Sequence, residues 1–158
     1  MHQVRQILWV GIGCKRETSS QLIDLAIEQV FQENKLCQSA IAGIATIDTK
    51  ASEVGLVEFC YLRNLPLKTF CSEVLCRVWV PNPSTITNQE VGTPSVAEAA
   101  AILAATQLNL LLTDSFWLST EQLWVEFLVP KRIFQFKGQP GVVTLAVAQA
   151  ASFSNFSL

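Results

Sequence analysis

Residues 4–31 read VRQILWVGIGCKRETSSQLIDLAIEQVF. Val4 to Ile12 is dominated by aliphatic residues and Trp9, then broken by Gly11 and Gly13, the pattern of a buried strand feeding a glycine turn. Thr18 with Gln21 three positions later fits a capping box, which predicts a helix starting near Ser19. In that helix Leu22, Ile23, Ala26, Ile27, Val30 and Phe31 recur at helical spacing. Asp24, Glu28 and Gln32 take the outer face, so one side is buried. Strand, glycine turn and amphipathic helix together open a βα unit.

The same alternation continues. Ile41 to Ile47 is short, apolar and uncharged, as a second buried strand should be, and Asp48, Thr49 and Lys50 follow at its end. A helix over Ser52 to Arg63 has few polar positions (Glu53, Glu58, Arg63) and is expected to bury a wide arc before Asn64-Leu65-Pro66 stops it. A third strand, Leu67 to Cys71, and a short helical piece from Ser72 come next. Val80-Pro81-Asn82-Pro83-Ser84 excludes regular structure. Ser95 with Glu98 makes a second capping box, opening an alanine-rich helix from Val96 to Thr106 whose small side chains permit close approach to a sheet. Trp124 to Val129 and Val142 to Ala148 read as two late strands joined by the turn Gly138-Gln139-Pro140-Gly141. The expected fold class is α/β: a single three-layer domain with a mixed, mainly parallel sheet flanked by helices.

Composition narrows the classes of function. The 158 residues are 50% hydrophobic and 15% charged, which excludes disorder and suits one domain with a substantial core. Mean hydropathy of +0.35 is high, pointing to a wide buried sheet or to surface that a partner covers. A net charge of −2 and a pI near 5.4 argue against non-specific binding to nucleic acid or to an anionic membrane. The apolar run Ile7 to Ile12 is too short for a signal peptide, and Ala99 to Thr113 is too short and too polar to span a bilayer. The five cysteines (Cys14, Cys37, Cys60, Cys71, Cys76) lack C-x-x-C spacing and read as reduced core residues, with the cytoplasm as the expected compartment.

Gly11-Ile12-Gly13-Cys14-Lys15-Arg16 is the first candidate for chemistry, because a tight turn before a helix offers backbone N–H groups to an anion and two cations follow. It is not a dinucleotide fingerprint, since Arg16 stands at the third glycine position. Lys15, Arg16, Lys50, Lys131 and Arg132 all follow directly on predicted strands, so a shared strand edge would carry a basic rim. Solvated loop charges are the ordinary alternative. His2 is the sole histidine, which excludes a Ser-His triad or a His-based zinc site. Asp48, Glu53 and Glu90 are the carboxylates beside these motifs. Asp48 and Glu53 serve equally well as helix-start residues, while Ser95 and Glu98 are accounted for by capping.

Five motifs then occur in order: Gly11-Ile12-Gly13-Cys14; Ala45-Thr46-Ile47-Asp48-Thr49-Lys50; Val80-Pro81-Asn82-Pro83-Ser84; Glu90-Val91-Gly92-Thr93-Pro94-Ser95-Val96-Ala97-Glu98-Ala99-Ala100; and Leu128-Val129-Pro130-Lys131. This order resembles the cobalamin-biosynthesis family comprising CobE and the C-terminal domain of CbiG, with Glu90 to Ala100 the most specific part. The resemblance covers residues 1–149, with an apparent insertion at 107–123 and a tail at 150–158. It implies a role in building the corrin ring, by binding a polycarboxylate precorrin or cobalt-precorrin intermediate, either as a CobE-like helper or as a separately encoded C-terminal half of cobalt-precorrin-5A hydrolase. CbiG-type proteins open the lactone of cobalt-precorrin-5A and release acetaldehyde, and the chain acting alone in that way is the alternative enzyme reading. A small phosphate- or nucleotide-binding α/β domain is a third reading, resting on the glycine turn alone.

On this resemblance Lys15, Arg16, Lys50, Lys131 and Arg132 would clamp carboxylates. Gly11, Gly13, Cys14, Gly92 and Thr93 would bring the backbone close, and Asp48 or Glu90 would handle a proton. No cofactor is expected on protein side chains, cobalt entering only within a corrinoid substrate. The implied partners are that intermediate and a separate CbiG N-terminal portion or another pathway enzyme. Glu17 departs from the family, which usually has a small residue there. Leu108 to Trp124 carries Leu110, Leu112, Phe116, Trp117 and Leu118. That much apolar surface is expected to pack on a second subunit (a homodimer), a partner portion or a ligand pocket, the alternative being this domain's own core.

Overall fold

The computed structural model describes residues 5–78, 80, 95–106 and 125–150. Strand β1 (Leu8–Cys14) leads into helix α1 (Ser20–Glu33), and β2 (Ile41–Ile47) leads through a 3-10 turn (Asp48–Lys50) into α2 (Val54–Leu62). Then come β3 (Leu67–Phe70), α3 (Ser72–Leu75), α4 (Val96–Ala105), β4 (Val125–Phe134) and β5 (Val143–Ala150). The five strands form one sheet in the order β3-β2-β1-β5-β4. β1, β2 and β3 are parallel, and β5 runs antiparallel to both of its neighbours. β4 therefore points the same way as β1, and the sheet is mixed as its alternating elements predict.

Strand alternation splits the core in two. Leu8, Val10, Ile12, Val143, Leu145 and Val147 face α1 and α2, burying Leu22, Ile23, Ile27 and Phe31 of α1 and Leu56 and Phe59 of α2. On the other face Ala45, Ala146 and Ala148 meet α4, all ten residues of which are buried. Small residues on both partners let α4 approach closely. A Cβ at Gly11 would land on the carbonyl oxygen of Ala97, so Gly11 marks where the helix crosses the sheet.

Four sequence expectations are corrected. Gly11 and Gly13 lie inside β1 rather than in a turn, because α4 needs Gly11 as strand floor. The α1 N-cap is Ser19, whose Oγ accepts from the Leu22 N–H at 3.0 Å, whereas Thr18 is buried and ties two loops together. α2 buries only Gly55, Leu56, Phe59 and Cys60, because it packs on one side alone. Its outer face leaves Val54, Tyr61 and Leu62 at 77%, 83% and 67% exposure. Finally, β4 continues past Pro130 to Phe134, so Lys131 and Arg132 lie within a strand. An edge strand tolerates proline because its missing N–H faces no partner. The segments 81–94 and 107–124, with Glu90, Gly92, Thr93 and all of Leu108 to Trp124, lie outside the described residues.

Candidate functional site

The carboxyl ends of β1 and β2 and the start of α4 meet at one edge of the sheet. Val96, the first residue of α4, sits against Gly13, since a Cβ placed there would lie 3.8 Å from Val96 Cβ. The loop from Lys15 to Ser19 is clamped on both sides. Thr18 Oγ1 donates to the Lys15 carbonyl at 2.7 Å and accepts from the Val142 N–H at 3.2 Å. The Lys15 N–H donates to the Val142 carbonyl at 3.0 Å, and the Ser19 N–H to the Pro140 carbonyl at 3.1 Å. Below, a Cβ at Gly55 would strike the Thr18 carbonyl, so α2 begins directly under the loop. Glu17 takes a left-handed φ of 64° and its N–H donates to Glu53 Oε1 at 2.7 Å. A left-handed position favours glycine, a physical reason for small residues here.

The exposed Lys15 and Arg16 thus ride on a fixed loop, and half-buried Lys50 closes the turn after β2. Cys14 is the last residue of β1, directly before Lys15. Burial pushes its thiol up to about 11; Lys50 pulls it down and Glu53 pushes it further up, so both charges act at this strand end. Asp48 is exposed on the same turn. Three strand spacings separate β2 from β4, roughly 14 Å.

Lys131 and Arg132 go separate ways. Arg132 Nη1 donates to Glu33 Oε2 at 2.6 Å and its guanidinium lies 5.1 Å from the Phe134 ring, on the α1 side. That hydrogen bond, with a second from Gln29, holds the Glu33 carboxyl below its usual range. The Lys131 N–H instead donates to Glu98 Oε2 at 2.9 Å, on the α4 side. Arg132 is therefore engaged away from the edge that gathers Lys15, Arg16 and Lys50. β1 is paired on both sides, so the Gly11 N–H belongs to the sheet ladder. With the glycines inside the strand, the phosphate-loop reading loses its basis.

Glu98 is what sequence reasoning missed. Its N–H does bond to Ser95 Oγ at 3.4 Å, as a cap requires, but its carboxylate crosses to β4 and is fully buried. The available signal was a lone acid in an otherwise apolar helix. Among the described residues no group of three or more His, Cys, Asp or Glu side chains is placed to hold a metal ion, and no helix is long and apolar enough to cross a membrane.

Residues 8–148 match the family described as cobalamin synthesis G C-terminus. The cobalt-precorrin-5A hydrolase of Priestia megaterium is 28% identical over 98 residues, 62% of this chain and 26% of that protein. Its counterpart from Salmonella typhimurium is 32% identical over 101 residues, 63% of this chain and 29% of that protein. These alignments span less than a third of either relative. Among solved structures, CobE, a protein from the cobalamin (vitamin B12) biosynthetic pathway, matches with a TM-score of 0.67 at 26% identity, over 90% of this chain and 89% of that one. Sheet, helices and motif order converge with these matches: this cobalamin-biosynthesis protein belongs to the cobalamin synthesis G C-terminus family.

Proposed function

We propose that the carboxyl edge of the sheet binds a polycarboxylate precorrin or cobalt-precorrin intermediate, and that the chain acts as a CobE-like helper or as the C-terminal half of a cobalt-precorrin-5A hydrolase. The observation that carries this reading is the gathering of Lys15, Arg16 and Lys50 at one strand edge beside the start of α4. Peripheral acetate and propionate groups pair with such cations, and the cations' spread suits a macrocycle rather than a single phosphate. Gly92 and Thr93 would join through the chain that enters α4. Lys131 flanks the site, Arg132 does not belong to it, and Gly11 serves it by admitting α4. Cobalt would arrive only within the substrate. The proposed compartment is the cytoplasm, and the proposed protein partner is a separate CbiG N-terminal portion, another pathway enzyme or a second copy.

The test is titration with a cobyrinic- or hydrogenobyrinic-type ligand, followed by visible absorbance. The expected outcome is a saturable spectral change at tens of micromolar ligand or below. Lys50→Gln should weaken it about fivefold to tenfold, the scale of one charge-assisted contact. Arg132→Gln should leave affinity within about twofold, since that side chain is held by Glu33. No spectral change overturns the reading. Acetaldehyde release from the lactone substrate by the chain alone, lost in Asp48→Asn or Glu90→Gln, would make it a hydrolase in its own right. Binding without release would make it a helper or a half-enzyme.

A further inference from the structure

We propose that Glu98 is a positioning residue that holds Lys131 on the ligand side of the sheet by pinning a bulge in β4. The inference rests on the carboxyl-edge reading above and adds a residue to it. Val129 pairs with Val147 and Arg132 with Leu145, so β4 advances three residues while β5 advances two. Pro130 and Lys131 together therefore oppose Ala146, which is a β-bulge. Pro130 has no N–H, which leaves Lys131 to supply the donor of the bulge. That donor bonds Glu98 Oε2 at 2.9 Å.

The bulge decides which face each cation occupies. Arg132 pairs with Leu145 of the α1 face, where it meets Glu33, and Lys131, one residue earlier, stands opposite Ala146 of the α4 face. A one-residue slip that removed the bulge would send Lys131 to the opposite face, because side chains alternate along a strand. The Ser95 hydroxyl accepts from the Glu98 N–H, and the Glu98 carboxylate, at zero exposure, reaches across to β4. Burying such a group is costly unless its bonds are made, and here one is made to the bulge itself.

A double-mutant cycle on the full chain tests this, using Glu98→Ala, Lys131→Met and the double variant, with Glu98→Gln as the conservative replacement. The readouts are hydrogenobyrinic-acid affinity and the hydrogen-exchange rate of the Lys131 amide. Lys131→Met and Glu98→Ala should each weaken binding about fivefold, the double variant should be no weaker than Lys131→Met, and Glu98→Gln should stay within about twofold of wild type. The Lys131 amide should exchange at least about tenfold faster in Glu98→Ala. Equal losses from Glu98→Ala in both backgrounds, or wild-type affinity in Glu98→Ala while Lys131→Met is weakened, would overturn the positioning role. Should Glu98→Ala fail to fold, a Glu98→Gln variant that binds as weakly as Lys131→Met, or whose Lys131 amide exchanges at least about tenfold faster than in wild type, likewise overturns the positioning role. Wild-type affinity in Lys131→Met, or no binding by any form, would instead overturn the carboxyl-edge reading and Lys131's place in it. In that case a Lys131 amide still protected in Glu98→Ala overturns the pinning as well.

Discussion

Gly11 and Gly13 lie on the same face of β1, two residues apart, and do different work. A side chain at Gly11 would collide with backbone atoms of Ala97 and Ala101, which cannot rotate aside. At Gly13 the nearest atoms are 3.8 Å away, an ordinary contact distance. Gly11→Ala should therefore lower stability by roughly 1–3 kcal/mol, the usual cost of overpacking, while Gly13→Ala should stay within about 0.5 kcal/mol. Urea denaturation of the two variants side by side checks this. Equal effects would mean that α4 does not rest on Gly11. Both glycines are visible in the sequence, but which of them meets a helix depends on a contact with a segment more than eighty residues away.

At the scale of elements, α1 and α2 differ in how much their composition reveals. The buried face of α1 is the one its periodicity predicts, from Leu22 to Phe31. α2 is apolar nearly all round, so periodicity could not orient it, and packing against α1 and the sheet selects the buried side. Leu56→Ala should cost about 2–5 kcal/mol as a core truncation, whereas Tyr61→Lys should change stability by no more than about 0.5 kcal/mol. Thermal melts of the two variants distinguish them, and a large loss in Tyr61→Lys would show that α2's outer face is covered in solution. Both helices end in a left-handed residue, Lys35 at φ 55° and Asn64 at φ 53°. The Leu36 N–H then reaches the Phe31 carbonyl and the Leu65 N–H the Cys60 carbonyl, each at 2.9 Å. Of these two ends only Asn64-Leu65-Pro66 is legible in the sequence, because lysine is not a residue that marks a left-handed position.

For the molecule as a whole, both faces of one sheet are covered, and burial sets the chemistry of its thiols. Burial pushes Cys14 and Cys60 up to about 11 from an ordinary 9.0. Both thiols are thus more easily ionised in the unfolded chain, so the stability they contribute is complete below about pH 9. It is lost as pH rises from 9 towards 11, because the unfolded state sheds protons that the folded state retains. Urea midpoints should fall over that window, and a Cys14→Ala, Cys60→Ala variant should show a shallower fall than wild type. An equally steep fall in the variant would refute the assignment. Exposed Cys37 behaves oppositely: its hydrogen bond with Ser39 Oγ, followed by backbone hydrogen bonds, lowers its thiol.

Local pattern was enough for the class of fold. β2 runs from Ile41 to Ile47 as its uncharged apolar run predicts, Ser95 caps α4, and strand-helix alternation yields the mixed sheet with an antiparallel pair at the end. These features are legible because side-chain period and turn chemistry act within a few residues of the chain. Lys15, Arg16 and Lys50 beside strand ends were legible for the same reason, whereas Lys131 and Arg132 lie inside β4. The tertiary structure decided which of them share a face. Strand order β3-β2-β1-β5-β4 places Lys15 and Lys50 on neighbouring strand ends, and the β4 bulge turns Arg132 away to Glu33. Glu98 and Lys131 stand 33 positions apart, and their bond exists only once α4 has crossed the sheet on Gly11. A pairing of that kind depends on close packing between distant segments, which no local periodicity encodes.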